Sequence, residues 1–413
     1  MKKVLSVVLI GLLCLSIFSV FALNVKAQSA VDWWPTFLHD SAHTSSSTSI
    51  GPVTNQLLWS YPTGDSIVFS SPAVLNGEVY VGSSDHYVYA LNAATGAYLW
   101  SYKTGDIVTT SPTVVDGVVY VGSYDHKVYA LNATSGAKIW SYGTGDKVES
   151  SPTVVDGVVY VGSDDHKVYA LSASSGSKLW SYTTGDAVVS SPAVVDGVVY
   201  VGSFDDNFYA LNAATGTKMW SFGTGNEVES SPAVANNVVY FGSDDDNVYA
   251  VDSVTGSKIW SFGTGNTVDS SPSVSNGVVY IGSEDNNVYA LNAGTGSKMW
   301  SHSTGNYVDS APAVANGVVY VGSDDNNLYA LNATSGTTIW TYGTGGSVES
   351  SPAIANGVVY VGSDDNSVYA FGSILVPQPS PTVPELGFYT VLVLMVAVAS
   401  TVVWFRKRKR ETP

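Results

Sequence analysis

Carboxylates recur in this chain at a spacing that a repeating fold could turn into a site. Three residues before the proline of each Ser-Pro or Ala-Pro dipeptide stand Phe69, Thr109, Glu149, Val189, Glu229, Asp269, Asp309 and Glu349, forty residues apart. Glu229, Asp269, Asp309 and Glu349 fall in four consecutive copies. Set side by side, such acids either repel and hold protons or share a divalent cation, with calcium the oxygen-seeking candidate. His86, His126 and His166 occupy another repeated position, where later copies carry Asp206, Asp246, Asn286, Asn326 and Asn366. Neighbours there should stand about 10 Å apart or more, too far to share a zinc with bonds near 2 Å, so they read as turn residues. No Ser-His-Asp set, phosphate loop or metal-ligand spacing occurs elsewhere. The arginines are 406, 408 and 410, and the single cysteine is Cys14.

What must position these acids is one unit written eight times. Ser-Pro recurs at 71, 111, 151, 191, 231, 271 and 351, with Ala-Pro at 311. A period of this length signals a propeller or solenoid. Within one copy, Ser111–Val115, Val118–Val121, Lys127–Leu131 and Lys138–Tyr142 read as four strands. Asp116-Gly117 between the first two is a turn that needs positive φ. Four short strands per forty residues make a propeller blade. The last copy stops at Phe371 without a fourth strand, while Leu57–Tyr61 precedes the first. The expectation is an all-β, eight-bladed propeller of four-stranded blades closed by that N-terminal strand. A solenoid would leave the displaced strand unexplained and expose open edges.

The ends carry targeting features. Lys2 and Lys3, an apolar run and Val25-Lys26-Ala27 read as a signal peptide over 1–27. An extension follows over 28–54, then the propeller over 55–373. Residues 374–385 form a proline-rich linker. Residues 386–405 are free of charge and long enough for a transmembrane helix, and 406–413 are a basic tail expected to stay in the cytoplasm. The expected localisation is a cell membrane, single-pass, with the propeller outside.

Ala90-Leu91-Asn92-Ala93-Ala94-Thr95-Gly96-Ala97-Tyr98-Leu99-Trp100 resembles the tryptophan-docking motif of quinoprotein propellers, the pyrroloquinoline quinone (PQQ)-like repeat family. The motif returns up to Trp340, with Ser172 replacing the asparagine once, and Trp34–Asp40 resembles the family's opening strip. Pro384-Glu385-Leu386-Gly387 is similar to archaeal sorting signals, with Leu386 departing from their pattern. The resemblance implies that Trp59, Trp100, Trp140, Trp180, Trp220, Trp260, Trp300 and Trp340 each pack on a neighbouring blade. It also implies two activities to weigh, because the family includes PQQ-dependent dehydrogenases and the lipoprotein subunit of the outer-membrane barrel-insertion machinery. A PQQ site needs cations for a tricarboxylate, a calcium ligand set and a catalytic aspartate. Here the propeller has no arginine, no adjacent cysteine pair and no large inserted loops, so no PQQ and no enzyme activity are expected.

The formal charge of −17 argues against nucleic acid as a partner. Sorted by strand connections, 25 of the 34 acids fall on one face with four lysines, and five fall on the other with five lysines. The expected function is a monomeric, non-catalytic binding or scaffold module. Its acidic face would meet a protein, a cell-wall polymer or cations, with calcium at Glu229, Asp269, Asp309 and Glu349 and no other cofactor. A PQQ-dependent dehydrogenase-like enzyme and a chaperone-like assembly subunit are the alternatives.

Overall fold

The computed structural model describes residues 32–372; the expected signal peptide, proline-rich linker, transmembrane helix and basic tail lie outside them. Eight antiparallel sheets, each built on four strands, stand in a ring. The blade expected from residues 111–142 forms from Thr113–Val115, Val118–Ser123, Lys127–Asn132 and Lys138–Gly143. Its first turn has φ of 50° at Asp116 and 76° at Gly117. No helix among the described residues is long and apolar enough to cross a membrane.

The ring closes as the displaced strand requires. Leu57–Pro62 pairs antiparallel with Ser367–Gly372, placing Trp59 opposite Ala370. Closure is then locked between blades by tryptophan. The Trp100 indole N–H donates to the Ala133 carbonyl at 2.6 Å, and Trp140 donates to Ala173 at 2.8 Å. The Ala173 carbonyl also accepts the Tyr120 hydroxyl at 3.3 Å, so both its lone pairs are used. Trp59 serves the first blade in the same way through Ala93, which also accepts Tyr360. Trp340 lacks such a partner in the truncated last copy. It donates instead to Pro52 of the N-terminal extension, at 3.1 Å, and Tyr320 meets the same carbonyl.

Hydroxyls make a second lock nearer the axis. The Ser111 amide donates to the Ser151 hydroxyl at 2.9 Å, and Ser151 donates to Ser191 in turn. The belt passes from the last blade to the first through Ser351 and Ser71 at 2.9 Å. It breaks at Ser271, because Ala311 brings no hydroxyl.

The extension has a role that its sequence does not announce: it winds round the inside of the channel. Trp34 exchanges both backbone hydrogen bonds with Val74, and Pro35, Ser41, Ala42, Thr44 and Ser45 accept from Val114, Val194, Val234, Val274 and Val314. Ser46–Ser47 adds a parallel fifth strand to Ala313–Ala315. These bonds satisfy inner-edge donors that a bare channel would leave unpaired. His43 lies at 0% exposure in this plug, with Nδ1 3.2 Å from the Pro232 carbonyl and Nε2 3.2 Å from the Thr153 hydroxyl. A carbonyl only accepts, so Nδ1 carries the proton and Nε2 accepts from Thr153. Burial holds the imidazole neutral, its pKa lowered to about 4.

Tryptophan docking depends on glycine at one position. A Cβ on Gly136 would lie 2.6 Å from Trp100 Cε3, and its φ is 69°. Gly136→Ala should therefore destabilise the chain by at least about 2 kcal/mol. Gly143→Ala, whose Cβ meets nothing within 4 Å, should change stability by less than about 0.5 kcal/mol. Thermal melts of the two variants check this, and equal melts would remove the docking argument.

Candidate functional site

Because the innermost strands stand side by side, residues forty apart in sequence converge at one end of the channel. A cavity of about 120 Å³ opens there. Its floor is Phe37 of the plug, its wall is the serine belt, and its mouth is the ring from Phe69 to Glu349. Glu229, Asp269, Asp309 and Glu349 all line it. The channel is thus a cup, closed below by the chain's own N-terminal segment.

Two features of this cup lie outside the expected ligand set. Glu149 joins from a blade outside the acidic arc. A second tier of acids, from the turn fifteen residues further on in five of the copies, stands beside the first. Asp244 acts on Glu229 and Asp269, Glu284 and Asp324 on Asp309, and Asp364 on Glu349, while burial and then Glu149 raise Asp164 itself. Carboxylate oxygens of Asp269, Glu284 and Asp309 all lie within 4.8 Å of one another. Glu229 and Glu349 stand one blade further out on either side. The signal available in sequence was that residues 164, 244, 284, 324 and 364 are acidic where other copies carry Ser84, Tyr124 and Phe204.

Burial sets the electrostatics and like charge deepens it. Burial first, then Asp364, Asp324 and Asp309, pushes Glu349 up to about 8. Burial, then Asp244 and Glu149, raises Glu229 to about 7, and burial with Asp324 and Glu284 raises Asp309 to about 7. Asp269, buried and faced by Glu229, Asp244 and Asp309, is also held far above the carboxylate range. Oxygens of Asp164, Asp244, Asp269, Asp309, Asp324 and Asp364 are buried without a hydrogen-bond partner. Lys147, 3.9 Å from Glu149, is the one lysine in ion-pair reach of this ring among the described residues.

The rest of the acidic face behaves differently. Asp125 Oδ2 accepts the Gly105 amide and the Tyr129 hydroxyl, and Asp245 holds Gly225 and Tyr249 in the same manner. Asp85, Asp165, Asp205, Asp285, Asp325 and Asp365 repeat this bond pair, so eight acids staple one blade to the connection before it. His86, His126 and His166 sit in left-handed turns with φ of 74°, 65° and 67°, as a turn role requires.

A bound PQQ does not fit the cup. It would need cations for three carboxylates, and the mouth offers carboxylates of its own and no arginine.

The sequence profile of the family described as outer membrane protein assembly factor BamB matches residues 47–149, 125–231, 209–308 and 285–373. The structure is similar to BamB from Moraxella catarrhalis, at 21% identity and a TM-score of 0.69 over 78% of this chain and 100% of that one. It is similar to quinohemoprotein alcohol dehydrogenase ADHIIG from Pseudomonas putida HK5, at 17% identity and 0.73 over 86% and 83% of the two chains. A europium-containing methanol dehydrogenase gives 14% identity and 0.74 over 84% and 99%. At such identities the likeness is one of fold. No curated protein sequence matches the chain.

Raised carboxyls bind protons in the folded chain that the unfolded chain, at its ordinary 3.8 to 4.5, has released. Stability should therefore fall as pH rises through about 7 to 8. His43 works in the opposite sense, since below 6.5 the unfolded imidazole takes a proton that the buried one refuses until about 4. Melting temperature in a chelating buffer should drop from pH 6.5 to 8.5, a range over which the opposing contribution of His43 is nearly spent. The variant E229Q/D269N/D309N/E349Q should flatten that drop. A flat profile in the unaltered chain would show that the cup is not strained by charge.

Proposed function

The chain belongs to the PQQ-like repeat family described as outer membrane protein assembly factor BamB, and from that premise we propose that it is a non-catalytic binding module of the cell surface. Its acidic cup takes a divalent cation, calcium by preference, or a cationic group of a protein or cell-wall polymer. The observation that carries this reading is the set of buried, unpaired carboxyl oxygens of Asp269 and Asp309 at the mouth and of the second-tier acids beside it. An isolated buried charge is costly, and a bound cation relieves repulsion and burial together. Calcium takes six to eight oxygens at about 2.3–2.6 Å, and two tiers of acids with water supply that kind of donor set. The apolar run 386–405 would hold the propeller outside the membrane, with Arg406–Arg410 inside.

A second reading is supported by the family description itself: a subunit that assists assembly of an envelope complex by gripping a partner protein. It needs the same propeller and the same cup, with a lysine or arginine of the partner in place of the metal. An enzyme of the quinoprotein kind is supported by fold alone.

Calcium titrated into the purified chain should raise its melting temperature, by the equivalent of about 2.7 kcal/mol at a hundred times the dissociation constant. The variant E229Q/D269N/D309N/E349Q should lose the shift. No shift in the unaltered chain, or the same shift in the variant, removes the cation reading. Adding PQQ with calcium should leave absorption unchanged, and quinone-dependent dye reduction would move the chain to the enzyme class.

A further inference from the structure

The face opposite the cup has an unexplained apolar rim. Every outermost strand carries a β-bulge at its start, as between Lys138 and Trp140. The residue it pushes out is aliphatic in every blade. Lys138-Ile139, Lys178-Leu179, Lys218-Met219, Lys258-Ile259 and Lys298-Met299 are all exposed. Leu179 is 55% open to solvent and Met299 51%. Nothing in the docking of the adjacent tryptophan calls for an exposed aliphatic side chain there, and a polar one would serve the bulge equally well.

Other apolar residues gather on the same side. Ile50 and Val53 of the extension are 59% and 62% exposed, and Val254 in a docking turn is 71% exposed. Of the fourteen exposed large apolar side chains among the described residues, only Phe69 and Tyr307 lie on the acidic face. The strand Ser367–Gly372 also ends here, with Gly372 paired to Val358 beside the Asn356-Gly357 turn. The chain therefore leaves the propeller from the rim face. Thirteen residues, reaching at most about 40 Å at ~3.1 Å each, separate Gly372 from the apolar run at Leu386.

We propose that this rim docks the propeller onto an anionic lipid surface, its aliphatic residues entering the headgroup layer and its lysines meeting lipid phosphates. Lysines at the outer edge suit that contact, since their stems are apolar and their heads charged. The two faces differ in charge, so a negative surface repels the cup side and leaves the balanced rim side as the one that can approach. The cup then opens away from the membrane, toward whatever it binds. This inference rests on the membrane placement proposed above.

The test uses the full chain in vesicles containing phosphatidylcholine and phosphatidylglycerol. In a C14S background, single cysteines are placed at the rim (M219C, I259C) and on the acidic face (D206C) and spin-labelled. The rim labels should be several-fold less open to a water-soluble nickel chelate than the D206C label, and more open to oxygen. Omitting phosphatidylglycerol, or adding K178E/K298E, should restore the rim labels to the chelate. Rim labels as open as D206C in these vesicles overturn the inference. Shielding that persists in lipid-free detergent and grows with protein concentration assigns the rim to a second copy and also overturns it. Alkaline carbonate separates the two levels. A chain that it strips from the vesicles loses the membrane placement and the rim docking together, whereas one that stays while its rim labels remain aqueous loses only the docking.

Discussion

A single carbonyl oxygen at each blade boundary carries the fold. It accepts a tryptophan indole from the blade before and, at most boundaries, a tyrosine hydroxyl as well, under a glycine turn whose missing Cβ leaves room for the ring. Sheets alone would give four strands with two open edges and little reason to adopt one curvature. The indole bond fixes the offset between neighbours, and eight equal offsets close a circle. Where the sequence runs out of copies, Pro52 supplies the missing carbonyl, so the boundary rule is kept by a residue from outside the repeat. That substitution makes the extension part of the ring.

The same extension turns a channel into a cup. A ring of eight innermost strands presents unpaired amides to its lumen, and water could satisfy them. Carbonyls of the segment from Trp34 to Ser45 take six of those donors instead and bring Phe37 beneath the mouth. The acids above it are therefore screened from water on the lower side, and this is why burial comes first among the causes that raise their pKa values. Plug and acid ring are one device: without the floor, the carboxylates would line an open tube.

The architecture was legible because repetition multiplies weak signals. Any one Ser-Pro, Asp-Gly turn or Thr-Gly turn is common; their recurrence, with few substitutions, in phase with eight tryptophans is not. The displaced strand Leu57–Tyr61 could be assigned by counting. The candidate site was half legible. Periodicity brought Glu229, Asp269, Asp309 and Glu349 to one mouth, but it could not show that Glu284 joins Asp269 and Asp309, their carboxylate oxygens all within 4.8 Å of one another. That depends on how far each turn leans inward, which no spacing records. The plug was invisible for a related reason. Its hydrogen bonds are made by backbone, and Leu38, His39, His43 and Ser45 adopt left-handed conformations that their side chains do not announce.

In a chain of near-identical blades, chemistry has to be sought where the copies disagree. The aspartates at 85, 125, 165, 205, 245, 285, 325 and 365 are the same in all eight blades and accept the same two bonds in each, so they belong to the scaffold. The ring from Phe69 to Glu349 is free of that duty, and it varies from phenylalanine to valine to glutamate. Four of its five acids cluster on one arc, and that arc also carries the one break in the serine belt, at Ala311, beside Asp269 and Asp309. A symmetric scaffold thus acquires a directional mouth by changing side chains that bear no structural load. Total charge alone conceals this, since staple and mouth acids count equally toward it; their hydrogen bonds separate them.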